Sequence, residues 1–223
     1  MRARMRLSQL RDVNVIDVSQ LKMLVAEGVW VFSHLGIPVA CRPLHIDEAL
    51  IAAEIEASRF HPSTSTQGFE SFIFGSNSLC CGVFVSDVMV GCAAANITPS
   101  LGDDPSEAFI DNISILESYA GYGLGLLLTA FLLKSASQPP HSCSRATLEV
   151  RPSNTAAKRI YSRLGFTCHG IRKRYYSHPT EDAEIHWLEA MDSPAFHDVL
   201  LDAVSRALEL FHVKQSDIRE AKR

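Results

Sequence analysis

The stretch from Glu107 to Phe166 narrows the possible folds more than any other part of the chain. An apolar run through Ile113 and Ile115 reads as a strand, and glycines at 121, 123 and 125 read as a turn. Leu124, Leu127, Leu128, Phe131 and Leu132 then follow with the spacing of a long apolar helix. After a proline-containing loop the order repeats, with a strand through Leu148 and Val150 and a helix ending at Gly165. A glycine turn at a helix N-terminus presents unpaired backbone N–H groups and the positive end of the helix dipole, so it has the form of an anion site. The same glycines are equally ordinary turn chemistry. GYGLGL lacks the spacing of a dinucleotide fingerprint, and no Gly-Lys-Ser/Thr follows to make a P-loop.

The second half of the segment, LEVRPSNTAAKRIYSRLGF, resembles the part of GNAT-superfamily N-acetyltransferases that follows their coenzyme-A turn. Within that superfamily it is similar to the ribosomal-protein-alanine N-acetyltransferases (RimI-like), through Leu148, Glu149, Val150, Arg151, Asn154, Ala157, Tyr161, Gly165 and Phe166. Arg172, Tyr175, Tyr176, Glu181, Asp182, Ala183 and Met191 match the family's closing segment. The resemblance implies an α/β fold, a GNAT-type mixed β-sheet splayed at its centre with helices on both faces. It implies an acetyl-CoA-dependent N-acetyltransferase that acts on the N-terminal alanine of a small-subunit ribosomal protein of the S-eighteen type. Rival readings are the same chemistry on other protein N-termini or a small-molecule amine, and a coenzyme-A-binding module without turnover.

Acetyl transfer to an amine needs a holder for the coenzyme, a base for the amine and an acid for the departing thiolate. The resemblance places acetyl-CoA contacts on Ile113, Ser114 and Ile115, on Gly121, Tyr122, Gly123, Leu124, Gly125 and Leu126, and on Asn154. It implies Glu149 as base and Tyr161 as acid. Read from the residues alone, Thr147, Glu149 and Arg151 share one face of the strand, so Glu149 is either a base or one half of a salt bridge to Arg151. Tyr161 is either the acid or a core aromatic beside Leu164 and Phe166. Asn154 is also a good N-cap for a helix starting at Thr155. Tyr175 and Tyr176 are either groove residues or strand aromatics. The family turn usually opens with Gln or Arg where this chain has Ala120, which implies weaker pyrophosphate contact. A Pro-Trp pair is usual where this chain has Pro62-Ser63, which touches the peptide groove rather than the chemistry.

The domain organisation follows from these limits: an N-terminal extension over 1–41, the acetyltransferase domain over 42–192, and a C-terminal amphipathic helix over 193–223. The extension has a basic start and an alternative initiator at Met23. Its apolar stretch from Leu21 to Ala40 is broken by Lys22, Glu27, His34 and Pro38, so it is no membrane span. From Arg42 a strand and a helix capped by Asp47 are expected, with Leu50, Ile51, Ile55 and Phe60 as core. Leu79–Val85 and Val88–Ile97 read as a hairpin about Ser86-Asp87, and Phe166–Tyr176 and Glu184–Met191 as closing strands. Beyond Ser193-Pro194, the stripe Phe196, Val199, Leu200, Ala203, Ala207, Leu208 and Phe211 packs on the domain or on a second subunit. A net charge of −4 gives no reason to bind nucleic acid, and no secretory signal is visible. Six cysteines without a CxxC pair read as reduced thiols, and the histidines show no metal spacing. The expected protein is cytoplasmic, metal-free and membrane-free, a monomer or weak homodimer whose partner is a ribosomal protein N-terminus.

Overall fold

Side-chain alternation explains why the sheet is covered on both faces. The hairpin of β3 (Ser78–Val85) and β4 (Val88–Thr98) turns at Ser86 and Asp87, both in the left-handed region (φ 49° and 68°) as a two-residue turn of this hand requires. Along β3, Cys81, Val83 and Val85 enter one apolar cluster while Cys80 and Phe84 enter another on the opposite face. The adjacent cysteines therefore point to opposite sides, as expected.

The computed structural model describes residues 29–34, 37–60, 62–102 and 104–220. The other strands are β1 (Trp30–His34), β2 (Ile37–Pro43), β5 (Glu107–Ile115), β6 (Arg145–Val150), β7 (Thr167–Ser177) and β8 (Thr180–Leu188). The sheet order is β1-β2-β3-β4-β5-β6-β8-β7, with every neighbouring pair antiparallel except β5 and β6. The helices are α1 (Ala49–Ala57), α2 (Thr66–Phe74), α3 (Leu124–Ser137), α4 (Thr155–Arg163) and α5 (Pro194–Glu220). Helices α1 and α2 cover the smaller cluster, and α3, α4 and α5 cover the larger one. The mixed α/β sheet with helices on both faces is the expected fold.

Its centre is splayed. Strands β5 and β6 pair only from Glu107–Ile110 against Arg145–Leu148, and both run on beyond that. A bulge leaves Asp111 between the pairs Ala95–Ile110 and Ala94–Asn112, and it inverts the alternation. Ala108 and Ile110 face the larger cluster before the bulge, and Ile113 and Ile115 pack against that same cluster after it. Asn112 and Ser114 are thereby turned to the other face, buried and without side-chain partners among the described residues.

Four local expectations change. The boundary at Arg42 falls inside β2, and the sheet reaches back to Trp30, whose ring packs edge-on to Phe131 at 5.2 Å. Met23 and the basic start lie outside the described residues. At α1 the cap is not Asp47: Glu48 reaches back to accept the His45 N–H (2.8 Å) while its carboxylate forks onto Arg42 (2.8 and 2.6 Å). Ile55 is buried, but Leu50, Ile51 and Phe60 are 56%, 44% and 40% exposed. The helix rests on Ala49, Ala52 and Ala53 instead, because small side chains let its backbone approach the sheet closely. The closing strands meet in a tight turn at His178-Pro179, so β8 begins at Thr180 rather than Glu184. Helix α5 is capped as expected, Ser193 Oγ accepting the Phe196 N–H (3.1 Å). Phe196, Leu200, Ala203, Ala207 and Phe211 of its stripe, with Val204 added, are buried in the larger cluster of its own chain, and half-buried Leu208 packs against it; Val199 stays outside that cluster.

Candidate active site

The splay and the glycine turn open onto one cavity of about 580 Å³. Ile113, Ser114, Ile115, Gly121, Gly123, Gly125, Leu126, Asn154 and Tyr161 all line it. Gly121 and Gly123 both take positive φ (80° and 79°), and Gly123 stands at the N-cap of α3 with no side-chain cap among the described residues. Two of the expected contact residues do not reach the cavity with their side chains. Tyr122 packs against Tyr119 (5.8 Å) and Phe211 (6.2 Å), and Leu124 is buried in the core, so each has only its backbone to offer. Asn154 does cap α4, its Oδ1 accepting the Ala157 N–H (3.1 Å).

Glu149 lies on β6 opposite Ile185, with its side chain 6% exposed. Its carboxylate is paired with Arg172 at 2.8 Å, and a hydrogen bond from Tyr175 reaches it. That hydrogen bond, ahead of burial and the carboxylate's charge, pushes the Tyr175 phenol up to about 12. Tyr176 donates to the Glu149 carbonyl (3.2 Å). The salt bridge to Arg151 does not form, because β6 ends at Val150 and Arg151 turns away from the strand face. It meets Glu181 (3.2 Å) and the carbonyls of Pro179 (3.0 Å) and His178 (3.1 Å), and lies over the Tyr176 ring at 4.0 Å.

Tyr161 satisfies both of its readings. Its ring packs against Phe166 (5.7 Å) in the larger cluster, yet it lines the cavity. Burial, with a smaller contribution from Tyr176, raises its pKa well above that of an ordinary phenol, so it carries its proton at neutral pH.

A second cleft, of about 750 Å³, runs between the α1–α2 connection (Ser58, Arg59, Phe60, Pro62) and the β7–β8 turn (Tyr175, Tyr176, His178, Pro179). Both tyrosines therefore wall a groove. The cleft and the cavity share Arg59 and Phe60. Arrangements of this kind bring two ligands end to end, a cofactor-sized one along the turn and an extended one in the groove.

Sequence reasoning missed the Arg172 partner of Glu149, which comes from β7 across an intervening strand, and no spacing in the sequence announces it. It also missed Asp111, whose carboxyl burial pushes up to about 6 against a hydrogen bond from Asn96, with Glu56 and Glu149 adding negative charge nearby. A third group is Cys168, Glu184 and His186, whose ligand atoms lie within 4.8 Å of one another. Glu184 there is already engaged by Lys158 (2.7 Å) and His186 (2.9 Å).

Comparison with known proteins gives a consistent picture. The profile of the Acetyltransferase (GNAT) family matches residues 46–166. The [ribosomal protein bS18]-alanine N-acetyltransferase of Haemophilus influenzae is 38% identical over 78 residues, 35% of this chain and 51% of that protein. The chain spans about half the length of the curated relatives it matches. The crystal structure of the ribosomal-protein-S18-alanine N-acetyltransferase from Escherichia coli superposes with a TM-score of 0.59 at 27% identity, covering 68% of this chain and 94% of that one. Arabidopsis thaliana NAA60 in complex with acetyl-CoA superposes with a TM-score of 0.61 over 68% of this chain and 98% of that one. Its 18% identity makes that a likeness of fold alone.

Proposed function

The chain belongs to the acetyltransferase (GNAT) family, and from that premise we propose that it is an acetyl-CoA-dependent N-acetyltransferase of the cytoplasm acting on the N-terminal alanine of a bS18-type ribosomal protein. The observation that carries this reading is the meeting of the cavity at the glycine turn with the tyrosine-walled cleft at Arg59 and Phe60. Acetyl-CoA supplies the acyl group as a thioester. Backbone N–H groups over Gly121–Leu126 bind its phosphates, and Ile113–Ile115 flank the pantetheine arm at the splay. The substrate's α-amine enters from the cleft between Tyr175 and Tyr176. Glu149 accepts a proton from the attacking amine, Tyr175 and Arg172 holding the carboxylate in place. Tyr161 gives its proton to the sulfur as the C–S bond breaks, so amide and free thiol leave with protons balanced.

The substrate's own acidity fits one carboxylate. At neutral pH, deprotonating an α-amine of pKa about 7.7–8.0 costs about 1 kcal/mol, whereas a lysine near about 10.4 costs about 4–5. A panel of short peptides tests the substrate, with acetylation followed by mass. Alanine-first basic peptides of the ribosomal type are expected to be modified in preference to other first residues and to free small amines. Equal rates across the panel would discard the ribosomal substrate. Pro62 lines this cleft, and Ser63 follows it where the resemblance implies a tryptophan, which makes broader acceptance of other protein N-termini the second reading.

A further inference from the structure

One wall of the cavity comes from outside the family segment. The glycine turn and α4 lie within residues 46–166, but α5 begins at Pro194. This helix presses directly on the turn. A Cβ placed on Gly123 would stand 2.5 Å from the Ala207 carbonyl oxygen, and the Tyr122 ring meets Phe211. One residue before Ala207, Arg206 lines the same cavity as Gly121 and Gly123, with Leu210 one turn further on. The stem of Lys214 passes over Gly121, its Cε 3.9 Å from where a Cβ would stand.

The charge of the cavity is one-sided. Among the described residues, its charged lining consists of Arg59, Arg159, Arg163 and Arg206, with no carboxylate, in a chain of net charge −4. Arg59 is paired with exposed Glu117 before the glycine turn, and two more of these arginines are held by exposed acids just outside: Arg163 by Asp202 (3.1 Å) and Arg206 by Glu209 (2.9 Å). Asp202 and Glu209 both belong to α5. Exposed pairs of this kind hold their partners weakly, whereas coenzyme A brings to a guanidinium fork either a 3′-phosphate with more charge and three acceptor oxygens or a pyrophosphate with two charges close together.

We propose that α5 completes the coenzyme site: Arg206, with Arg163 from α4, binds a phosphate at the nucleotide end of coenzyme A, and Glu209 occupies Arg206 until that phosphate arrives. This rests on the reading of the glycine turn as the coenzyme holder. It makes α5 part of the binding machinery rather than a cover for apolar surface, with its own acids setting the affinity.

Calorimetric titration of coenzyme A into the full chain tests it. Arg206→Gln is expected to weaken binding about tenfold, the scale of one charge-assisted phosphate contact, and to flatten its salt dependence. Glu209→Gln frees the guanidinium and is expected to tighten binding about twofold to threefold, since only an exposed pair is lost. A purely structural role for this pair cannot give opposite signs. Repeating the titrations with dephospho-coenzyme A assigns the phosphate. A penalty kept by Arg206→Gln puts the contact on the pyrophosphate, a penalty lost puts it on the 3′-phosphate, and either supports the proposal. Wild-type affinity in Arg206→Gln, or weaker binding in Glu209→Gln, would overturn it while leaving the coenzyme reading intact. Failure of the unaltered chain to bind coenzyme A would overturn both. Arg206 is a surface residue and Gln a good helix former, so melting temperatures near that of the parent are expected as the folding control.

Discussion

Glu149→Gln and Tyr161→Phe are each expected to lower turnover by about a hundredfold or more, the usual scale for a lost general base or acid. Both substitutions keep the shape of the side chain. Glutamine at 149 still offers an oxygen to Tyr175 and Arg172 but cannot take a proton from the amine. Arg172 is 58% exposed, so its charge remains solvated when the pair is lost, and folding is little affected. Phenylalanine at 161 keeps the ring against Phe166 and removes only the hydroxyl of this cavity-lining residue. Coenzyme affinity therefore stays close to that of the parent while kcat falls. Steady-state rates with acetyl-CoA and a peptide check this, and a near-parental rate in either variant removes that residue from the mechanism.

The largest structural effect is expected from Gly123→Ala. The residue sits at φ 79°, where an L side chain costs about 1–2 kcal/mol. Its Cβ would also meet backbone, 2.5 Å from the Ala207 oxygen and 2.9 Å from the Ala207 Cα, and backbone cannot rotate aside. Displacing α5 adds about 1–3 kcal/mol, the usual scale for overpacking. A loss of about 2–5 kcal/mol corresponds to a fall in Tm of about 5–15 °C for a chain of this size. Gly121→Ala is the comparison, because Gly121 has the same backbone (φ 80°) but, among the described residues, only the flexible end of Lys214 within 4 Å. It incurs the conformational strain and little else. Thermal unfolding of both variants separates the effects, and equal losses would mean that α5 does not press on the turn.

Much of the catalytic half was legible because its signals are local. The glycine turn, the apolar run of α3, the Asn154 cap and the Ser86-Asp87 hairpin each depend on residues close in sequence, and the structure places them as expected. Cavity-lining positions on β5 followed from the family resemblance. What was not legible depends on long-range packing. Trp30–His34 and Ile37–Pro43 are short, and interruptions such as His34 and Pro38 hide their pairing from a reading of apolar runs. In α1 two helical stripes compete, and only the sheet's shape decides that the alanines face inward while Leu50 and Ile51 face out. The Arg172 partner of Glu149 crosses a strand, and the approach of α5 to Gly123 joins positions that nothing in the sequence connects. The apolar stripe of α5 showed that the helix packs on something, but not that it brings Arg206 to the rim of the cavity.

Thiol release from acetyl-CoA by the purified chain, with and without a short alanine-first peptide, tests the central claim most directly. The expected result is release that depends on the peptide, with mass confirming one acetyl group on its α-amine. Coenzyme binding without any peptide-dependent release would contradict it, leaving a family fold with a holder for the coenzyme and no transfer to a protein N-terminus.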